Sequence, residues 1–123
     1  MAGIMMKAPG TEHPISVTPN QAHVTVKFAG KTIADTRHAM TMHEADYAPI
    51  VYVPRDDVAM TLLQRAPHTT HCPYKGDASY FSISADGQTA ENAVWSYEHP
   101  YPAAVPIAGY LAFSPNQVEI GER

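Results

Sequence analysis

His23-Val24-Thr25-Val26-Lys27-Phe28-Ala29-Gly30-Lys31-Thr32-Ile33-Ala34-Asp35-Thr36 is the stretch that decides the fold. From His23 to Phe28 the residues alternate, with Val24, Val26 and Phe28 on one face and Thr25 and Lys27 on the other. A period of two is that of a strand with one buried face. Ala29-Gly30-Lys31 supplies a hairpin turn, and Thr32 to Arg37 reads as the return strand. The neighbouring segments repeat the pattern. His13 to Thr18 reads as a short strand with Ile15 and Val17 on one face. Ala39 to Glu44 alternates with Met40 and Met42 on one face, and Glu44 puts a carboxylate at the end of that same face. Ile50-Val51-Tyr52-Val53 is apolar without a break, which predicts a strand buried on both sides. Further along, Ala78 to Ser84 and Ala90 to Tyr97 read as strands joined by an Asp86-Gly87 turn. Ile107 to Phe113 follows as another strand, with Gln117 to Ile120 as the last.

One stretch changes the period. After Pro54-Arg55-Asp56-Asp57, Val58, Leu62 and Leu63 fall at helical spacing, and either aspartate would serve as an N-cap. The expectation is one short helix from about Asp57 to about Gln64. Ala66 to Lys75 and Glu98 to Pro106 are expected to be loops. The chain carries 11 prolines, mostly where a strand would end. Proline cannot donate to a sheet ladder, so this punctuation implies many short elements and a mainly β fold.

Bulk composition narrows the function classes. At 123 residues, one domain over 13–123 is expected, after a flexible tail over 1–12. The net charge of -4 gives no attraction for nucleic acid or an anionic membrane, so neither is an expected partner. With Cys72 as the single cysteine, no internal disulfide forms, and a reducing, cytoplasmic setting is the expectation. Ala2 to Met5 is too short for the apolar core of a signal peptide.

The residues able to carry chemistry gather in two places, Tyr52 to Asp57 and Cys72 to Tyr97. Cys72 lies beside His71 and near Lys75, so its thiol is a candidate nucleophile or redox group, with Lys75 or a histidine lowering its pKa and Glu44 as acid or base. Against that stands the ordinary role of a lone cysteine as a small buried residue anchoring a loop. Trp95 and Tyr97 share a strand face, and Tyr80 lies on the partner strand. These aromatics form either a core layer or the wall of a pocket for a flat or cationic ligand, which Tyr52 would extend. Arg55 and Asp57 stand where a strand ends, as ligand-facing groups or as a cap and ion pair that fix the corner. His68, His71 and Cys72 have no second cluster at a fixed interval, and zinc needs at least three convergent ligands. No metal or cofactor is therefore expected. The phosphate-binding GxxxxGK[ST] pattern is absent, as are GxGxxG, GxSxG and HExxH.

Several blocks together carry a resemblance. They are Gly30…Ile33-Ala34-Asp35-Thr36, Glu44, Tyr52-x-Pro54-Arg55-Asp56-Asp57-Val58, Cys72-Pro73-Tyr74-Lys75-Gly76-x-Ala78-x-Tyr80, Trp95-Ser96-Tyr97 and Gly109-Tyr110-x-Ala112-Phe113. Over about His13 to Ile120 the chain resembles the bacterial and fungal domain of unknown function family number 427, also labelled nucleotidyltransferase-like. It carries nothing like the Gly-Ser and paired-carboxylate metal site of such transferases. The resemblance implies a β-tent fold similar to methionine sulfoxide reductase B and the cereblon ligand domain. Those relatives hold a structural zinc on four cysteines, which Cys72 alone does not allow. It also implies that ligands bind an open sheet face lined by aromatics.

The first function expected is a small-molecule-binding domain, with Tyr52, Tyr80, Trp95 and Tyr97 as an aromatic wall, Arg55 or Lys75 orienting an anionic group, and Asp57 nearby. The alternatives are an enzyme using Cys72, Lys75 and Glu44, and an interaction module that forms a homodimer through a sheet edge.

Overall fold

The structure is a computed structural model that describes residues 6–123. It is mainly β, with ten strands in three open antiparallel sheets. Strands β1 (Ile15–Pro19), β4 (Met40–Glu44) and β5 (Ile50–Tyr52) form one sheet in the order β1-β4-β5. Strands β2 (Val24–Phe28), β3 (Lys31–Thr36) and β10 (Glu119–Glu122) form another, in the order β10-β2-β3. Strands β6 (Leu63–Cys72), β7 (Gly76–Ala85), β8 (Gln88–Ser96) and β9 (Ala112–Phe113) form the third, in sequence order.

The hairpins close where the sequence placed them. Ala29 and Gly30 have φ of 52° and 76°, and Asp86 and Gly87 have 53° and 74°. Paired positive values of this kind twist a two-residue turn to match its strands. The third sheet is the middle layer, because its residues alternate between two apolar clusters. Phe81, Ile83, Val94, Leu111 and Phe113 pack with Val24, Val26 and Ile33 in the first cluster. Ala78, Tyr80, Trp95, Tyr97 and Ala112 pack with Met42, Tyr52 and Ile107 in the second. Strand β5 and the residue after it show why the run is apolar throughout: Val51 and Val53 join the first cluster, while Ile50 and Tyr52 join the second.

Three local expectations are corrected. The helix over Asp57 to Gln64 does not form. Two single 3-10 turns, Arg55–Asp57 and Met60–Leu62, stand there, and β6 begins at Leu63. Val58 forms an isolated bridge with Ala34, and Ala59 N–H donates to Ile33 O at 2.8 Å, so β3 takes up the backbone that a helix would have used. Asp57 caps nothing; its Oδ2 accepts from Thr36 Oγ1 at 2.6 Å. The loop over Ala66 to Lys75 is instead mostly strand β6. Pro67 fits because β6 is an edge strand and the register shifts between Arg65 and Thr69. The strand over Ile107 to Phe113 shortens to β9, since Pro102–Ile107 winds as 3-10 helix and Gly109 turns with φ of 76°.

The tail expected over residues 1–12 falls partly outside the described residues. From Met6 onward the chain is tied to the β6–β7 turn: Lys7 N–H donates to Pro73 O at 2.6 Å, and Gly10 and His13 exchange backbone bonds at 3.3 and 3.2 Å. No helix among the described residues is long and apolar enough to cross a membrane.

Candidate functional site

Alternation along β4 aims Met42 and Glu44 at the second cluster, and Tyr52 of β5 points the same way. Opposite them, β8 contributes Trp95 near its end, and the residue just after the strand is Tyr97. The turn between β6 and β7 contributes Lys75. Its backbone is fixed from both sides, by Lys75 N–H donating to Cys72 O at 3.3 Å and by Tyr101 N–H donating to Lys75 O at 2.9 Å. The next residue, Gly76, has φ of 105° with Tyr101 N 3.4 Å from where a Cβ would stand. Only glycine adopts that backbone without strain.

These elements enclose a cleft of about 350 Å³ lined by Met42, Glu44, Tyr47, Ala48, Ile50, Tyr52, Lys75, Trp95 and Tyr97. At one end is a charged cluster. Glu44, only 7% exposed, accepts from Lys75 Nζ on Oε1 and from His13 Nε2 on Oε2, the latter at 2.7 Å. An ionised carboxylate only accepts, so Nε2 carries the proton in this pair. The His13 ring stacks on Tyr74 at 3.8 Å and meets Tyr47 edge-on at 6.1 Å, which ties the rim of the cleft to the N-terminal segment. Burial opposes ionisation of Glu44, but the bonds from Lys75 and His13 outweigh it and hold the carboxyl below its ordinary pKa. Burial likewise opposes the Lys75 ammonium, and the Glu44 carboxylate more than compensates, raising its pKa. Glu44 and Lys75 are therefore both charged across the neutral range. Lys75 Nζ also lies 5.4 Å from the Tyr97 ring centroid, a cation–π contact.

The aromatic wall has its own polarity. Trp95 Nε1 donates to the Tyr52 hydroxyl at 3.4 Å. Burial pushes the Tyr52 phenol up to about 12, with the Trp95 bond as a smaller opposing effect. Burial also raises the Tyr97 phenol, aided by the nearby Cys72. Both phenols are thus neutral proton donors at any physiological pH.

Of the residues singled out by sequence, Glu44, Tyr52, Lys75, Trp95 and Tyr97 converge on this cleft. Tyr80 and Cys72 pack against the same cluster without lining the cleft. Tyr80 lies directly across from Trp95 in the β7–β8 register, and its hydroxyl is 3.2 Å from Thr70 Oγ1. Arg55 and Asp57 stand elsewhere. Arg55 Nε donates to Gly109 O at 3.1 Å, and its terminal nitrogen donates to Glu98 Oε2 at 2.9 Å and Ser96 Oγ at 3.4 Å. Asp57 is bound by Thr36. Sequence reasoning missed His13, Tyr47, Ala48 and Ile50 as members of the site. Met42 was on the page, two residues from Glu44 on an alternating strand. His13 had no signal, because its partner lies 31 residues away. Among the described residues, no group of three or more His, Cys, Asp or Glu side chains is placed to hold a metal ion.

No curated protein sequence matches this chain. The family model described as Domain of unknown function (DUF427) matches residues 16–123, a span that holds every residue of the cleft, and the chain belongs to that family.

Proposed function

We propose that the protein is a small-molecule-binding domain and that the cleft between β4, β5 and the end of β8 is its ligand site. The observation that carries this reading is the convergence of Glu44, Lys75, Tyr52, Trp95 and Tyr97, from four separate segments, on one concave surface of about 350 Å³. That volume lies at the small end of the ligand-pocket range, about 300–1,000 Å³, and suits a compact ligand. Apolar walls with a few placed polar groups are the usual make-up of such sites. A charged pair kept in place beside an open cleft has a use there that a pair closed inside the core does not have.

Trp95 is the only tryptophan, so its emission reports directly on the cleft. The test is a titration of the protein with a library of small ring compounds, following Trp95 emission and the thermal midpoint together. Saturable emission changes with a rise in midpoint support the reading. A library in which no compound changes either signal argues against it.

The enzyme reading built on Cys72 has less support, because the thiol is absent from the cleft lining.

A further inference from the structure

An imidazole already sits beside the cleft, and it belongs to the protein. The His13 ring lies flat on Tyr74, with 3.8 Å between centroids and 8° between planes. Tyr47 meets it edge-on at 6.1 Å. Its Nε2 donates to Glu44 Oε2 at 2.7 Å, the short length of a bond to a charged acceptor. The three receiving residues are held in place without the ring. Glu44 is bonded by Lys75, Tyr47 N–H donates to Glu44 O at 2.9 Å, and Tyr74 stands in the β6–β7 turn that Cys72 and Tyr101 fix through the Lys75 backbone. The segment that carries the ring is held far less. Residues 6–8 and 10–12 are exposed. Among the described residues, one backbone hydrogen bond ties 6–13 to the body, from Lys7 N–H to Pro73 O at 2.6 Å, while the Gly10–His13 bonds are internal. A crevice of about 260 Å³ opens between this segment and Tyr74. The next anchor is Pro14, whose carbonyl accepts from Ala45 N–H at 2.8 Å, so the segment has a pivot beside His13. The span matched to the family takes in Glu44, Tyr47 and Tyr74 and starts after His13.

We infer that Tyr74, Tyr47 and Glu44 form a binding subsite for a flat heteroaromatic ring bearing an N–H group, and that His13 is its displaceable internal occupant. The subsite adjoins the cleft, which Glu44 and Tyr47 also line. It goes beyond the ligand-site reading above, because each contact that defines it is already made by His13. Ring shape and donor are both required. The Tyr74 face takes a flat ring, and an aliphatic amine gives up that stack. A ring without N–H keeps the stack and offers Glu44 Oε2 no donor, so the charge-assisted bond is lost. Held on a short tether, His13 competes at an effective concentration on the order of millimolar, so a ring that also reaches into the cleft displaces it.

Imidazole and 1-methylimidazole are the probes, at about pH 8.5, where such rings are mostly neutral and 1-methylimidazole has no N–H. His13→Ala and His13→Gly vacate the subsite, with the fold of each checked by near-ultraviolet circular dichroism. Dissociation constants come from backbone amide NMR titrations of the full chain. Each folded variant is expected to bind imidazole at least about ten-fold more tightly than the wild type, and 1-methylimidazole about 3- to 10-fold more weakly than imidazole. The shift changes are expected to centre on residues 44–47 and 73–75. In the wild type, excess imidazole is expected to move the His13 ring-proton signals away from the upfield positions that stacking on Tyr74 gives them. A folded variant that binds imidazole no better than the wild type overturns the inference, as do shift changes centred elsewhere. Equal binding of the two probes removes the N–H requirement and overturns the inference as stated. Wild-type His13 signals that imidazole leaves unmoved overturn it whether or not the variants fold. Each of these outcomes is independent of whether the ring-compound library binds the cleft.

Discussion

Two carboxylates in this molecule each hold two basic side chains, and they differ in what is left over. At the corner after β5, Glu98 binds Arg65 through both oxygens at 2.9 and 3.0 Å, and Arg55 at 2.9 Å. Both guanidinium groups lie over the Phe81 ring, at 5.7 and 4.9 Å. Arg55 also donates through Nε to Gly109 O and through the same terminal nitrogen to Ser96 Oγ, so several of its N–H groups are held by the protein at this corner. At the cleft, Glu44 accepts one bond from Lys75 and one from His13, and Lys75 lines an open space beside the Tyr52 and Tyr97 phenols. A planar guanidinium gripped by a carboxylate, a carbonyl and a hydroxyl fixes a corner; a compact ammonium beside an open space equips a site. Charge count alone does not distinguish the two regions. The open cleft of about 350 Å³, which Lys75 lines and Arg55 does not, does.

The largest expected effect comes from removing the buried partner. Glu44→Gln leaves the mostly buried Lys75 ammonium without a counter-ion and is expected to cost about 3 kcal/mol in urea unfolding. Glu98→Gln is expected to cost less, since the Arg65 side chain is 56% exposed and water takes up its charge. Equal costs would break the contrast between the regions. Next is Gly76→Ala, expected to lose about 2 kcal/mol because the backbone there has φ of 105°. It is also expected to weaken ring-compound binding by displacing Lys75, whereas substitutions at Glu98 leave binding intact.

The pH dependence sharpens the comparison further. The bond from Arg65, with burial opposing, holds the Glu98 carboxyl down at about 2, against an ordinary 4.5. A lowered acid stabilises the fold above its unfolded value, and this contribution is lost as pH falls from about 4.5 toward 2. Tyr52 acts at the other end. Its raised pKa contributes stability below pH 10 that is lost as pH climbs from 10 to about 12. Unfolding midpoints across pH should therefore show an acid shoulder that Glu98→Gln reduces, Glu44 supplying the rest, and an alkaline shoulder that Tyr52→Phe reduces, Tyr97 and Lys75 supplying the rest. The smallest effect is expected for Arg65→Ala, under about 1 kcal/mol, with no change in ligand binding.

The strands with clean alternation were legible because one face is buried and the other solvated, as in Val24-Thr25-Val26. The continuous run at Ile50 to Val53 was legible for the opposite reason, with clusters on both sides. The segment from Asp57 to Gln64 misled because Val58, Leu62 and Leu63 mimic a helical stripe, while their actual spacing comes from two 3-10 turns entering a strand. Pro67 misled because proline is compatible with an edge strand at a register shift, which cannot be known before the sheet order is. In the cleft, the residue types were legible and their grouping was not. Arg55 and Lys75 looked equivalent as anion-orienting groups; only the three-dimensional structure shows that Arg55 bonds Gly109, Ser96 and Glu98 away from the cleft that Lys75 lines. His13 was illegible altogether, because its role depends on Glu44 and Tyr74 arriving beside it from distant segments.

The most direct test of the account is a backbone amide NMR titration of the full chain with whichever ring compound binds most tightly. The account predicts shift changes concentrated at residues 42–52, at Lys75 and Gly76, and at Trp95 to Tyr97, with Arg55, Arg65 and Glu98 unmoved. Changes centred on the Arg55–Glu98 corner, or on the apolar groove of Val24, Val26, Phe113 and Ile120, would contradict it.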